Sequence, residues 1–173
     1  LRAARHPRLV RWQDAWLVAE QSGVNALPII ALIGVLLGLI LAFQSAIPMR
    51  RFGADIFVAD LLGIAMLREM GPLITAIILA GRSGSAFAAE LGTMKVREEI
   101  DALRTMGLEP VRFLVLPRVI AAVAMFPVLT VFANLFGLMG GAIVMRSLGY
   151  PLVTYVNQVL SAVTVGDLMG GLL

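Results

Sequence analysis

Two residues in this 173-residue chain stand where charge is costly: Arg68 and Glu69, adjacent in an otherwise apolar run and followed by Gly71-Pro72. Ionisable residues inside an apolar helix usually face a cavity, a partner or a substrate. Neighbours on a helix point about 100° apart, so the two cannot easily satisfy each other and each needs its own partner. The plainer alternative is an ion pair to other helices that only fixes packing. Pro72 adds to the case, because it lacks the N–H that would bond the carbonyl of Arg68, four residues earlier. Backbone freed in this way must be buried in protein or line a cavity. Charge and free carbonyl thus coincide, which is the pattern expected of a polar site within a membrane.

A second charged constellation follows at Glu90 to Pro110 (ELGTMKVREEIDALRTMGLEP). Met94, Ile100, Leu103 and Met106 can form one apolar edge of a helix. Glu98, Glu99 and Asp101 cluster on the rest, and Gly107 would end it. A short amphipathic helix of this kind suits a groove on another protein, and methionines on a charged helix favour an adaptable contact surface. A merely solvated connecting helix is the alternative. Between the two constellations, Gly81-Arg82-Ser83-Gly84-Ser85 is rich in small residues but is no phosphate loop. No GxxxxGK[ST] occurs and Lys95 is the only lysine, so the chain does not hydrolyse nucleotide by itself. Close helix packing is the expectation there. His6 is the single histidine and cysteine is absent, which leaves neither a histidine cluster nor a thiolate site for a metal.

The elements that must carry these residues are set by hydropathy. The chain is 60% hydrophobic and 14% charged, with a mean hydropathy of +0.92, far outside the soluble range. It is an integral membrane protein, and nucleic acid is not an expected partner. Residues 1–22 hold Arg2, Arg5, Arg8 and Arg11 with Leu9, Trp12 and Trp16 at helical spacing, which reads as an amphipathic helix lying in the interface. Gln21 to Met49 has no charge and gives a first span at about 24–48, since a hydrocarbon core of about 30 Å needs roughly 20 residues. Gly34 and Gly38 there form a GxxxG pair that allows close approach of another helix, and Gln44 should find an interhelical hydrogen bond. A loop with Pro48, Arg50, Arg51, Asp55 and Asp60 follows. The second span, about 56–89, is too long for one perpendicular crossing and should tilt, break near Pro72 or project from the bilayer. The charged helix occupies about 90–107. The third span covers about 113–145, with Pro127 as a kink and Gly137 and Gly141 as another GxxxG pair. A fourth occupies 152–173, with Asp167 inside or near its end. The chain starts without Met and stops in an apolar run, so at least four spans in an all-α membrane protein is the expectation, within one transmembrane domain over 23–173.

Thirteen arginines and one lysine define orientation by where they lie. Four are in the N-terminal segment and Lys95, Arg97, Arg104, Arg112 and Arg118 lie in the central charged segment, which places both in the cytoplasm, where an ATPase would be found. The run LREMGPLITAIILAGRSGSAFAAELGTMKVREEIDALRTMGLEPVRFLVLPR resembles the core of the MlaE-type permeases, the membrane subunits of bacterial ABC transporters that move phospholipids between inner and outer membrane. The resemblance extends from the arginine-rich helix through at least Gly141. It implies an inner-membrane homodimeric permease, each protomer with an interfacial helix and five spans, of which the fifth is missing here. The implied partners are a cytoplasmic ABC ATPase that supplies ATP and Mg, a periplasmic MCE-domain protein and, in some relatives, a STAS-domain protein. No cofactor resides in the chain itself. By position, Leu41, Gln44, Met49, Phe52, Arg68 and Glu69 become the lipid cavity. Glu90, Lys95, Arg97, Glu98, Glu99, Asp101 and Arg104 become the ATPase-coupling residues. Two rival readings are a non-transporting membrane scaffold and a proton-coupled secondary transporter using Glu69 and Asp167.

Overall fold

A computed structural model describes residues 12–107 and 109–172, and all regular structure among them is helical. Helix α1 (Trp12–Arg51) is followed by a 3₁₀ turn (Asp55–Phe57), α2 (Val58–Ala65), a first π-turn (Met66–Met70) and α3 (Gly71–Ile78). A second π segment (Leu79–Gly84) leads into α4 (Ser85–Val96), and α5 (Glu99–Thr105) stands apart from it. A third π-turn (Val111–Val115) opens α6 (Leu116–Ser147), and α7 (Leu152–Ala162) and α8 (Val165–Leu172) complete the chain. Three helical stretches, Gly23–Arg51, Asp55–Val96 and Phe113–Ser147, are long and apolar enough to cross a membrane. The pair α7 and α8 would make a fourth crossing if taken as one.

Several expectations change in detail. Residues 12–22 continue directly into α1 with no break at Gly23, and residues 1–11 of the expected interfacial helix lie outside the described residues. Helix α1 also runs through Pro28 and Pro48, so Arg50 and Arg51 occupy its last turn and not a loop. Helix α6 likewise continues through Pro127. The fourth span is bent by 76° between Ala162 and Val165, where Val163 is extended (φ −92°, ψ 127°). The segment expected as one helix over 90–107 is two: its first part prolongs the second span, and the chain turns at Glu98, which adopts a left-handed conformation (φ 61°) before α5 begins. Such a backbone costs a non-glycine residue roughly 1–2 kcal/mol.

The second span does not break at Pro72. The π-turn widens the helix by one residue, so that the Gly71 N–H donates to the Met66 carbonyl, five residues back. The Thr75 hydroxyl donates to the Gly71 carbonyl at 2.9 Å, tying the next turn together.

The chain forms two compact units, Leu1–Ala26 with Ile78–Phe126 and Leu27–Ile77 with Pro127–Leu173. In the second, association rests on small residues rather than on burial from water, as expected in lipid. A Cβ on Gly38 would overlap the Gly137 carbonyl, and one on Gly140 would overlap that of Val35; one on Gly34 would lie 3.1 Å from the Ala133 oxygen. The first GxxxG pair is therefore a packing face of α1 against α6. Gly137 and Gly141 meet Met66 and Leu62, so the second pair seats the segment that carries Arg68. Val58, Leu62, Met66, Val144 and Met145 form the buried centre, and the Tyr155 hydroxyl donates to the Leu138 carbonyl at 2.9 Å.

Candidate functional site

The π-turn and α8 build the charged site in the second unit. A Cβ on Gly171 would overlap the Leu67 carbonyl oxygen and lie 3.2 Å from Pro72 Cγ, so α8 packs its backbone onto the π-turn beside Pro72. Asp167, one helical turn earlier on α8, extends toward the next residue: its Oδ1 lies 3.8 Å from Arg68 Nε. Its Oδ2 accepts the Thr164 N–H at 2.9 Å. Thr164 and Asp167 thus supply one half of a capping box, the acidic residue reaching back to the first orphan N–H of α8. Arg68 is 61% exposed and Asp167 20%. Glu69 is exposed and makes no ion pair among the described residues. The expectation of separate partners is met for Arg68 alone.

Of the other residues assigned to a lipid path, Leu41 and Met49 are half-buried and pack against the buried centre. Phe52 is 82% exposed. Gln44 is exposed and has no hydrogen bond among the described residues, contrary to the interhelical bond expected of it. It sits on the outer side of α1 while Ala42 and Ala46 face inward.

Buried polarity near the π-turn also comes from α6. Asn134 of α6 is buried, its Oδ1 has no hydrogen-bond partner among the described residues, and a Cβ on Gly71 would overlap that oxygen. The amide therefore lies against the Gly71 Cα, a weak C–H···O contact at the end of the π-turn. A lone Asn in a charge-free span was the available signal. A second missed bond joins Gln158 Nε2 of α7 to Asp60 Oδ2 of α2 at 2.9 Å.

Helices α7 and α6 also enclose an apolar groove of about 280 Å³, lined by Leu135, Leu138, Met139, Val156 and Leu160 among others. Among the described residues no three Asp, Glu or His side chains gather as a metal would require.

The first unit holds the second constellation. Glu90 does not stand free: its Oε1 is 2.6 Å from Arg118 Nη2, while Arg118 Nη1 donates to the Leu114 carbonyl at 3.0 Å. The Arg118 side chain is 11% exposed, its carbon Cζ lies 5.9 Å from the Phe87 ring centroid, and its Nε has no partner among the described residues. Arg118, which counts in the sequence only as one of the orienting charges, joins α4 to α6. Across the turn at Glu98, Lys95 Nζ donates to both carboxylate oxygens of Asp101, at 2.9 and 2.6 Å. That hydrogen bond holds the Asp101 carboxyl below the ordinary carboxylate range, against a smaller desolvation effect, with the charges of Lys95 and Arg104 adding to it. Arg104 lies 3.5 Å from Asp101 and Arg97 4.0 Å from Glu99. Glu98 and Glu99 are exposed. Met94, Ile100 and Leu103 are half-buried and Met106 exposed, so three of the four residues of the expected apolar edge are sheltered. Of the small-residue run where close packing is expected, Ser83 is buried, whereas among the described residues no atom approaches a Cβ on Gly81 within 4 Å; the run itself forms a π segment.

Helices of spanning length, glycine-mediated packing and an exposed cation on a largely apolar span define a multi-pass helical membrane protein. The chain belongs to the MlaE permease family, whose description, Permease MlaE, it matches over residues 16–173. It is 36% identical over 151 residues to a probable ABC transporter permease protein of Rickettsia typhi, covering 87% of this chain and 58% of that protein. It is 38% identical over 122 residues to the intermembrane phospholipid transport system permease protein MlaE of Haemophilus influenzae, covering 70% and 47%. A third relative, the chloroplastic protein TRIGALACTOSYLDIACYLGLYCEROL 1 of Arabidopsis thaliana, is 37% identical over 134 residues, covering 78% and 38%. The chain thus spans little more than half the length of the first of these proteins.

Proposed function

We propose that this chain is the membrane part of an ABC transporter that moves phospholipids between the inner and outer membranes, with ATP and Mg bound by a separate cytoplasmic ATPase. The observation that carries the reading is family membership joined to an exposed arginine on an apolar span, since a guanidinium is the side chain best suited to a phosphodiester. Arg68 receives the headgroup, with Leu41, Gln44, Met49 and Phe52 along the lipid's path and Glu69 positioning helices around it. The protein works as a homodimer in the inner membrane with its N-terminus cytoplasmic. A periplasmic MCE-domain protein and, in some systems, a STAS-domain protein complete the assembly. The scaffold and proton-coupled readings gain nothing from the two bacterial relatives, which are named as transport-system permeases.

Coupling follows from the order of the elements. Helix α4 prolongs the span that carries Arg68, and α5 hangs from it through the Glu98 turn and the Lys95–Asp101 pair. ATP binding closes the ATPase, α5 moves with it through its exposed acids Glu98 and Glu99, and the span transmits the motion to the lipid site. The ligand shifts the equilibrium only by its differential contacts in the two states. The test is ATPase activity of the full-length transporter reconstituted with and without phospholipid. Glu98→Ala combined with Glu99→Ala should lower lipid-stimulated activity, and Arg68→Ala should lower co-purified lipid. Unchanged lipid and unchanged activity in these variants would overturn the assignment.

A further inference from the structure

Asp167 occupies an unusual position beside the proposed headgroup site. One oxygen is committed to the Thr164 N–H at the start of α8, and the same face of α8 is pinned one turn later, where Gly171 meets the Leu67 carbonyl. The carboxylate is therefore held in place by backbone contacts on both sides and is largely buried, whereas its partner Arg68 is mostly exposed. Their contact, 3.8 Å through Nε, is longer than a hydrogen bond. A fixed anion at the edge of an exposed guanidinium neutralises it in part without saturating its donors.

We propose that Asp167 is an internal competitor for the anionic phosphodiester at Arg68, weakening headgroup binding so that the lipid is released rather than trapped. This rests on the lipid reading of Arg68. A permease must bind its cargo in one state and give it up in another, and a resident carboxylate returns to the guanidinium as the phosphate leaves. Each partner thereby spares the arginine an unpaired state in apolar surroundings, where an uncompensated charge is costly.

The experiment uses the full-length protein in detergent, titrated with phosphatidylglycerol and followed by native mass spectrometry. Asp167→Asn removes the charge and keeps an oxygen to accept the Thr164 N–H. Its half-saturation concentration should fall about two- to five-fold, the range set by an exposed ion pair. Asp167→Glu, which retains the charge, should show no such gain. In the Arg68→Ala background Asp167→Asn should bring no gain at all. Binding by Asp167→Asn that is unchanged or weaker overturns the proposal, and so does a gain that persists without Arg68. If Arg68→Ala alone binds like the wild type, the headgroup site itself is wrong and the competitor falls with it. If Arg68→Ala binds poorly while Asp167→Asn equals the wild type, only the competitor is refuted.

Discussion

Replacing Glu90 by Gln is the perturbation whose consequence the structure constrains most closely. Glu90 belongs to the charged segment that would face an ATPase, yet its carboxylate holds the buried Arg118 at 2.6 Å. Removing one partner of a fully buried pair costs about 3–5 kcal/mol, because the other charge is left uncompensated. An exposed pair contributes about 0.2–1 kcal/mol. Here Arg118 is 11% exposed but Glu90 is 58% exposed, so water can reach the outer nitrogen once the carboxylate is gone. Arg118 also keeps the Leu114 carbonyl and the Phe87 ring. The loss should therefore fall between the limits, at about 1–2 kcal/mol. On the scale of domains of 150–250 residues that is a fall in Tm of roughly 2–8 °C. The assay is thermal unfolding of the full-length permease in detergent, without its ATPase. Asp101→Asn is the comparison, since its pair with Lys95 is exposed at both ends and should contribute less. A double-mutant cycle with Arg118→Met should recover most of the Glu90→Gln loss as coupling between the two sites. Equal losses for Glu90→Gln and Asp101→Asn, or a cycle with no coupling, would refute the reasoning and return Glu90 to the docking surface.

Three further outcomes follow. Gly38→Ala places a methyl into the Gly137 backbone, which cannot yield as a side chain can, and should cost about 1–3 kcal/mol, whereas Gly81→Ala meets open space and should be neutral or stabilising in the same unfolding assay. Glu98→Gly relieves a left-handed backbone and should raise stability by about 1 kcal/mol, even if it lowers ATPase stimulation; a loss of stability would show that the Glu98 side chain contributes more than its strain costs. The depressed pKa of Asp101 means that its contribution is fully present above the unfolded value of about 3.9 and is lost as pH falls through the lower folded value. Carboxyl NMR should place its titration midpoint below the ordinary range, and replacing Lys95 by Met should bring it back up.

The charge-free runs made the spans legible, because hydrocarbon tolerates little else over some twenty residues. The pair Gly34 and Gly38 announced a close approach, and the backbone contact with Gly137 is the result. Arg68 and Glu69 were visible because charge is rare in such a span, but the partner Asp167 lies about a hundred residues later, and only the fold brings the two together. Pro72 signalled a disturbed hydrogen-bond ladder without saying how it would be absorbed. A break and a π-turn solve the same problem, and contacts from Gly171 and Asn134 accompany the second solution. The turn at Glu98 was hidden because no glycine or proline marks it, and a left-handed glutamate has no sequence signal. Glu90 looked like one more acid of a solvated helix until Arg118, 28 positions on, closed against it. Local patterns were readable; pairings over distance were not.

The central claim is that this chain holds phospholipid and works with an ATPase. Native mass spectrometry of the full-length protein, purified gently from its membrane together with whatever it binds, tests both at once. The account predicts a dimer carrying phospholipid and an associated ATPase, with the lipid diminished in Arg68→Ala. A lipid-free monomer with no ATPase would contradict it.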